Sequence, residues 1–198
     1  MPVVECDVEE ARNRLTEAGA DVTDGNTEHE RWRATLGEAT AVAYDGKVVI
    51  QGARPRDIEA VLREGGGRVH LYVDGASRGN PGPAAIAWVL VAGEGGIVAE
   101  HAERIGQATN NQAEYRALVA GLRAARDYGY DTVHVRGDSE LVMKQVRGEW
   151  DVNDPTLREH RVTVREILTE FDDWELTHVP RELNERADSL ANEALDNA

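Results

Sequence analysis

Apolar and polar positions alternate along this chain with two periods, one near 3.6 residues and one near 2, and the changes between them outline its elements. Val8, Ala11, Leu15 and Ala18 recur at helical spacing, with Gly19 placed to end that helix. A polar stretch covers 21–30. Residues 40–44 and 47–51 read as two β-type runs around Asp45-Gly46, the pattern of a tight hairpin. Pro55 opens a short helix over 55–62. Gly65, Gly66 and Gly67 favour neither period and read as a linker over 65–67. Beyond it, strands are expected at 69–73, 84–91 and 97–104, with Gly93, Gly95 and Gly96 in the second turn. A helix is expected over 111–128, its apolar face carrying Ala117, Leu118, Leu122 and Ala125, and Gly129 lies near its end. A strand at 132–136, helices at 139–147 and 155–171, a strand at 174–179 and a last helix at 184–195 complete the pattern. Antiparallel runs followed by strand–helix alternation predict an α/β fold: a five-stranded mixed sheet with helices on both faces over 68–198. Residues 1–64 are expected to form a small α+β N-terminal domain.

The candidate chemistry sits where these elements meet. Asp74 follows the apolar run 69–73 and precedes Gly75-Ala76-Ser77-Arg78-Gly79-Asn80-Pro81-Gly82-Pro83. That arrangement predicts a carboxylate at a strand end, beside backbone bare enough for a phosphate to approach. Three further acids stand in settings of their own: Glu114 in Thr109-Asn110-Asn111-Gln112-Ala113-Glu114-Tyr115, Asp138 in Val135-Arg136-Gly137-Asp138-Ser139, and Asp188 in Asn184-Glu185-Arg186-Ala187-Asp188-Ser189-Leu190-Ala191-Asn192. At these residues the chain resembles the catalytic domain of type 1 ribonuclease H, with all four motifs in the family's order over about 68–196. The resemblance implies a ribonuclease H-like sheet and a metal-dependent endonuclease. Such an enzyme would cut the RNA strand of RNA–DNA hybrids and leave 5′-phosphate and 3′-hydroxyl ends.

The four carboxylates are suited to that reaction: they offer hard oxygen donors for Mg²⁺ or Mn²⁺, two per site, and need no covalent nucleophile. By the resemblance, Asp74 bridges both ions, Glu114 and Asp138 complete one site, and Asp188 serves the other. Taken singly, each acid reads as well as a cap or a solvated charge, Asp138 above all. Asn80, Asn110, Asn111 and Gln112 match the family's contacts to the RNA minor groove, and Gly75, Ser139 and Asn184 join them as substrate-binding candidates. Contacts of this kind distinguish RNA through its 2′-hydroxyl. Asn110 could equally cap the helix that carries Glu114. Arg78, Lys144 and Arg147 are candidate phosphate contacts.

The chain also departs from the family pattern. Many members carry a catalytic His on a glycine-rich loop before the last Asp, whereas here Thr177-His178-Val179-Pro180-Arg181-Glu182-Leu183-Asn184 is shorter. His178 reads as a half-buried strand residue, and Arg181 is the better candidate to assist catalysis, electrostatically because it cannot act as a base. The Lys-rich protruding helix of the family is absent, and Trp150, Asp151 and Asp154 stand in its place. In the N-terminal part, residues 41–52 resemble the hairpin of the substrate-binding N-terminal domain of type 3 ribonuclease H, itself similar to half of a TATA-binding protein.

Charge changes the picture more than composition does. The 198-residue chain carries net charge −15, with 37 acidic and 22 basic residues. Both parts are acidic, with 14 acids against 8 bases in 1–67 and 23 against 14 in 68–198. Lys47 and Lys144 are the only lysines. Dispersed acid with scarce lysine points to a salty cytoplasm, where self-repulsion is screened. The single Cys6 excludes an internal disulfide, and no apolar run is long enough to span a bilayer, so a cytoplasmic monomer without membrane contact is expected. Two alternatives stay open: a nuclease of the same fold that also cuts double-stranded RNA, and a catalytically idle hybrid-binding protein.

Overall fold

The computed structural model describes residues 1–62, 67–92 and 95–197; the linker residues Gly65 and Gly66 and the turn residue Gly93 lie outside them. Two compact units share the chain, Met1–Gly65 and Gly66–Ala198.

The first unit contains β1 (Val3–Glu5), α1 (Val8–Glu17), β2 (Asp21–Asp24), β3 (Trp32–Leu36), β4 (Ala39–Tyr44), β5 (Lys47–Gly52) and α2 (Pro55–Leu62). The strands form one antiparallel sheet in the order β1-β5-β4-β3-β2. Ala11 and Leu15 of α1 and Ile58 and Leu62 of α2 pack with Trp32, Ala41, Val48 and Ile50 on one face of that sheet. Asp7 caps α1 by accepting from the Glu9 and Glu10 amides. The expected hairpin is present, with Tyr44 opposite Lys47. Three strands were not expected. β1 has three residues and β2 reads Asp-Val-Thr-Asp, so neither edge strand has an apolar run to announce it. In β3, Trp32, Ala34 and Leu36 do alternate, a signal that was available.

The second unit comprises β6 (Arg68–Ser77), β7 (Gly82–Ala92), β8 (Ile97–Ala108), α3 (Asn110–Asp127), β9 (Thr132–Gly137), α4 (Glu140–Arg147), α5 (Pro155–Leu168), β10 (Asp173–His178), a 3₁₀ turn (Arg181–Leu183) and α6 (Glu185–Asp196). Its sheet runs β10-β9-β6-β7-β8, parallel across β10-β9-β6 and antiparallel across β6-β7-β8. Leu71, Val73 and Leu90 turn to one face and pack with Leu118 and Leu122 of α3, Met143 and Val146 of α4, and Val164 and Leu168 of α5. Tyr72 and Val89 turn to the opposite face, beside Ala187 of α6. The expected mixed sheet with helices on both faces is thus present. At Gly121 a Cβ would lie 2.7 Å from a Leu71 methyl, so the missing side chain lets α3 sit close on the sheet.

Two strands outrun their expected ends. β8 continues to Ala108 through an irregularity, where Ala84 faces Gly106 but Ala85 faces Arg104. β6 continues through Asp74 to Ser77, because its antiparallel pairing with β7 persists until Ser77 meets Ala84. Asp74 therefore lies inside a strand, not at its end. The parallel ladder with β9 does stop one residue earlier, at Val73 opposite Gly137, and this leaves Asp74 and Asp138 side by side past its last rung.

Candidate active site

Each acid reaches its place for a local reason. On β6, Asp74 is only 4% exposed. Glu114 lies in the first turns of α3, whose N-cap is Thr109: its hydroxyl accepts from the Gln112 amide while the Gln112 side chain accepts from the Thr109 amide. Asn110 is thus not the cap. A Cβ at Gly75 would fall 2.3 Å from the Ala113 carbonyl carbon and from the Glu114 nitrogen, so helix and strand backbones meet there. The bare backbone of Gly75 admits α3, not a phosphate, and its amide, facing the Glu114 carboxylate, partly offsets the upward push of burial on that carboxyl. Beyond β9, Ser139 caps α4 by accepting from the Val142 amide, and Asp138 is released from that duty.

Asp74, Glu114 and Asp138 converge: each offers an oxygen within 4.8 Å of the others. Asp188, in the first turn of α6, stands outside this trio with its Oδ1 accepting from Arg181 Nη2 at 2.9 Å. It is still close enough for its charge to act on Asp74 and Glu114. Burial, followed by the charges of Asp138 and Asp188, pushes the Asp74 carboxyl up to about 8, against the pull of Arg181. Burial and the charges of Asp74 and Asp138 likewise raise Glu114 well above the usual carboxylate range. Crowded, desolvated carboxylates of this kind are what a bound cation relieves. With three hard oxygens and no sulfur or imidazole among them, the donors fit Mg²⁺ or Mn²⁺ better than a softer metal.

The remaining candidates divide. Asn80, Asn110 and Asn111 are exposed and Gln112 is half-buried, with Asn80 Oδ1 accepting from the Asn110 amide at 3.2 Å. Gln112 and Ser139 are both engaged as caps. Asn184 is 1% exposed and donates through Nδ2 to the Val73 carbonyl at 2.9 Å, so it braces the end of the parallel ladder and is not placed to meet a substrate. The expected phosphate contacts are engaged within the chain: Arg78 with Asn192 and Asp196, Lys144 with Glu140, and Arg147 with Glu149 and the Leu176 carbonyl. His178 is exposed rather than half-buried. It ends β10 opposite Gly137, with Nε2 3.2 Å from the Asp138 carbonyl oxygen. That neighbour of Asp138 carries no separate sequence signal, because the contact depends on the register of two parallel strands.

Comparison with known proteins adds an independent line. Residues 72–194 match the model of the family described as reverse transcriptase-like. The curated ribonuclease HI of Halobacterium salinarum is 65% identical over 199 residues, covering all of both chains. The crystal structure of RNase H1 from that halophilic archaeon is similar with a TM-score of 0.66 at 69% identity, covering 67% of this chain and 100% of that one. LC11-RNase H1, solved in complex with an RNA/DNA hybrid, is similar with a TM-score of 0.62 at 41% identity, over 65% of this chain and 97% of its own.

Proposed function

The chain belongs to the type 1 ribonuclease H (ribonuclease HI) family, and on that premise we propose how its residues divide the work. The activity is hydrolysis of the RNA strand of RNA–DNA hybrids, and it depends on divalent metal. The observation that carries the assignment is the convergence of Asp74, Glu114 and Asp138 within 4.8 Å at the end of the β6–β9 ladder.

Asp74, Glu114 and Asp138, with Asp188 beside them, would hold a pair of Mg²⁺ or Mn²⁺ ions. When bound, such ions supply an activated water, neutralise charge on the transition state and stabilise the departing oxygen, which becomes a 3′-hydroxyl opposite a 5′-phosphate. The protein's part is to hold the oxygens in place. Gly75 fixes Glu114 from the strand side, Ser139 spares Asp138 from capping, and Asn184 pins the Val73 carbonyl behind Asp74. Arg181 orients Asp188 and presents a permanent positive charge at the edge of the site, which favours the anionic transition state and release of the phosphate end.

Exposed amides of Asn80, Asn110 and Asn111, with Gln112 beside them, are suited to the minor-groove edge and 2′-hydroxyls of the RNA strand. The N-terminal unit is read as a second hybrid-binding element. Its helices cover one face of its sheet, while Thr40 and Tyr44, both half-buried, alternate to the other. Every chain carries all four carboxylates, so a monomer suffices. A cytoplasmic setting belongs to the same reading and rests on the lone Cys6.

Labelled hybrid, duplex RNA and duplex DNA, each incubated with Mg²⁺ or Mn²⁺, test the reading. Cleavage is expected in the RNA strand of the hybrid, lost by at least about 100-fold in Asp138→Asn. Wild-type turnover in that variant would reject the assignment, and cleavage of duplex RNA would widen the substrate class.

A further inference from the structure

On the α3 side of the sheet, a groove of about 330 Å³ runs between the β7–β8 hairpin, α3 and α5. Its walls are apolar where Ile86, Ile105 and Val119 line it, and its polar groups are dominated by Arg116, Arg123 and His160. Arg116 and Arg123 are seven residues apart on α3 and so share a helix face. Arg116 is two residues from Glu114, about 200° round the helix, so the groove faces away from the carboxylate centre.

We propose that this groove binds a terminal phosphate group borne on an apolar or aromatic body, as in a phosphomonoester. Three observations support it. The Arg116 guanidinium is held by a neutral acceptor, the Ile105 carbonyl at 3.3 Å, so its position is fixed while its charge is left uncompensated. Arg123 is exposed and makes no ion pair among the described residues. The His160 ring lies nearly parallel to that of Tyr115 in an offset arrangement, with centroids 6.2 Å apart and planes at 20°, a contact that favours one ring orientation. In a chain of net charge −15, two arginines facing one groove against the single carboxylate of Glu103 leave a local excess of positive charge, while burial and the charge of Arg116 favour the neutral His160 ring. The apolar wall gives a sugar or base a surface to lie on. Glu103 also lines the groove and opposes an anion, which makes the proposal testable in sign as well as size.

The phosphate could come from a free nucleotide or from the 5′-phosphorylated end of an RNA fragment. The test follows the His160 ring resonances of the full chain by NMR at constant ionic strength. Inorganic phosphate, a nucleoside 5′-monophosphate and a short 5′-phosphorylated oligoribonucleotide are titrated with Mg²⁺ and with EDTA. Saturable shifts are expected in both conditions, since the carboxylate centre is not involved. Arg123→Ala should weaken binding at least five-fold, Arg123→Lys should retain most of it, and Glu103→Gln should tighten it. Hybrid cleavage at saturating substrate should be unchanged in Arg123→Ala. Whichever organic phosphate binds more tightly identifies the source. Shifts that never saturate, or an affinity indifferent to Arg123→Ala, would overturn the proposal.

Discussion

Asp74 meets two opposed demands, since the proposed metal site needs its anion while burial and two neighbouring carboxylates favour its proton. In the folded, metal-free protein its carboxyl titrates near 8, against about 4 for an unfolded chain. Between those values the native state holds a proton that the unfolded state has released, so metal-free stability falls as pH rises from about 4 to about 8. A divalent cation reverses the balance by binding the anion, and its affinity therefore rises over the same range. Asp74→Asn removes both effects. Thermal melts in EDTA at pH 8 should show this variant several degrees more stable than wild type, while its hybrid cleavage is lost. If its melting point instead matched wild type at both pH 5 and pH 8, Asp74 would not carry the strain described. At this scale the four acids were legible because each sits in a distinctive motif. Asn184 was not, because its partner, the Val73 carbonyl, is 111 residues away in the chain.

Between residue and fold, the site depends on how closely α3 approaches β6. Gly75→Ala sets a methyl group 2.3 Å from helix backbone, so strand or helix must move and Glu114 with it. Cleavage is expected to fall at least about 100-fold, with a stability loss of roughly 2 kcal/mol or more, read from denaturant unfolding. Thr109→Ala is the milder companion: it removes the cap of α3 at a cost of about 1 kcal/mol and leaves Glu114 near its place. Equal losses of activity in both variants would show that close packing at Gly75 is not what positions Glu114. Helices and most central strands were legible from periodicity, as α1, α3 and the β4–β5 hairpin show, with interior β3 the exception although its residues alternate. The edge strands β1 and β2 were not, since they pair along one side only and each has little apolar surface to repeat. The far half of β6 was hidden for another reason. Gly75, Ala76 and Ser77 have weak strand preference, and only the partner residues 84–86 hold them extended.

For the molecule as a whole, acid spread through both units makes self-repulsion the term that salt controls. Melting temperature should rise steeply between dilute buffer and molar KCl, and millimolar Mg²⁺ should reproduce part of the rise by neutralising the clustered carboxylates. An unchanged melting point across that range would show that net charge −15 is of no consequence to the fold. Deleting residues 1–64 should raise the Michaelis constant for hybrid several-fold and leave kcat unchanged if the N-terminal unit holds substrate; identical kinetics would leave it without that part. The amino-acid sequence by itself marked the four candidate carboxylates, the alternation that makes a mixed sheet, and the boundary expected near the three glycines, because these are local patterns of residue type and spacing. Only the tertiary structure decided that Asp74 lies within a strand, that Gly75 makes room for a helix, and that His178 touches Asp138. Those facts arise from strand register and backbone contact between segments far apart in the chain, and no local pattern encodes either.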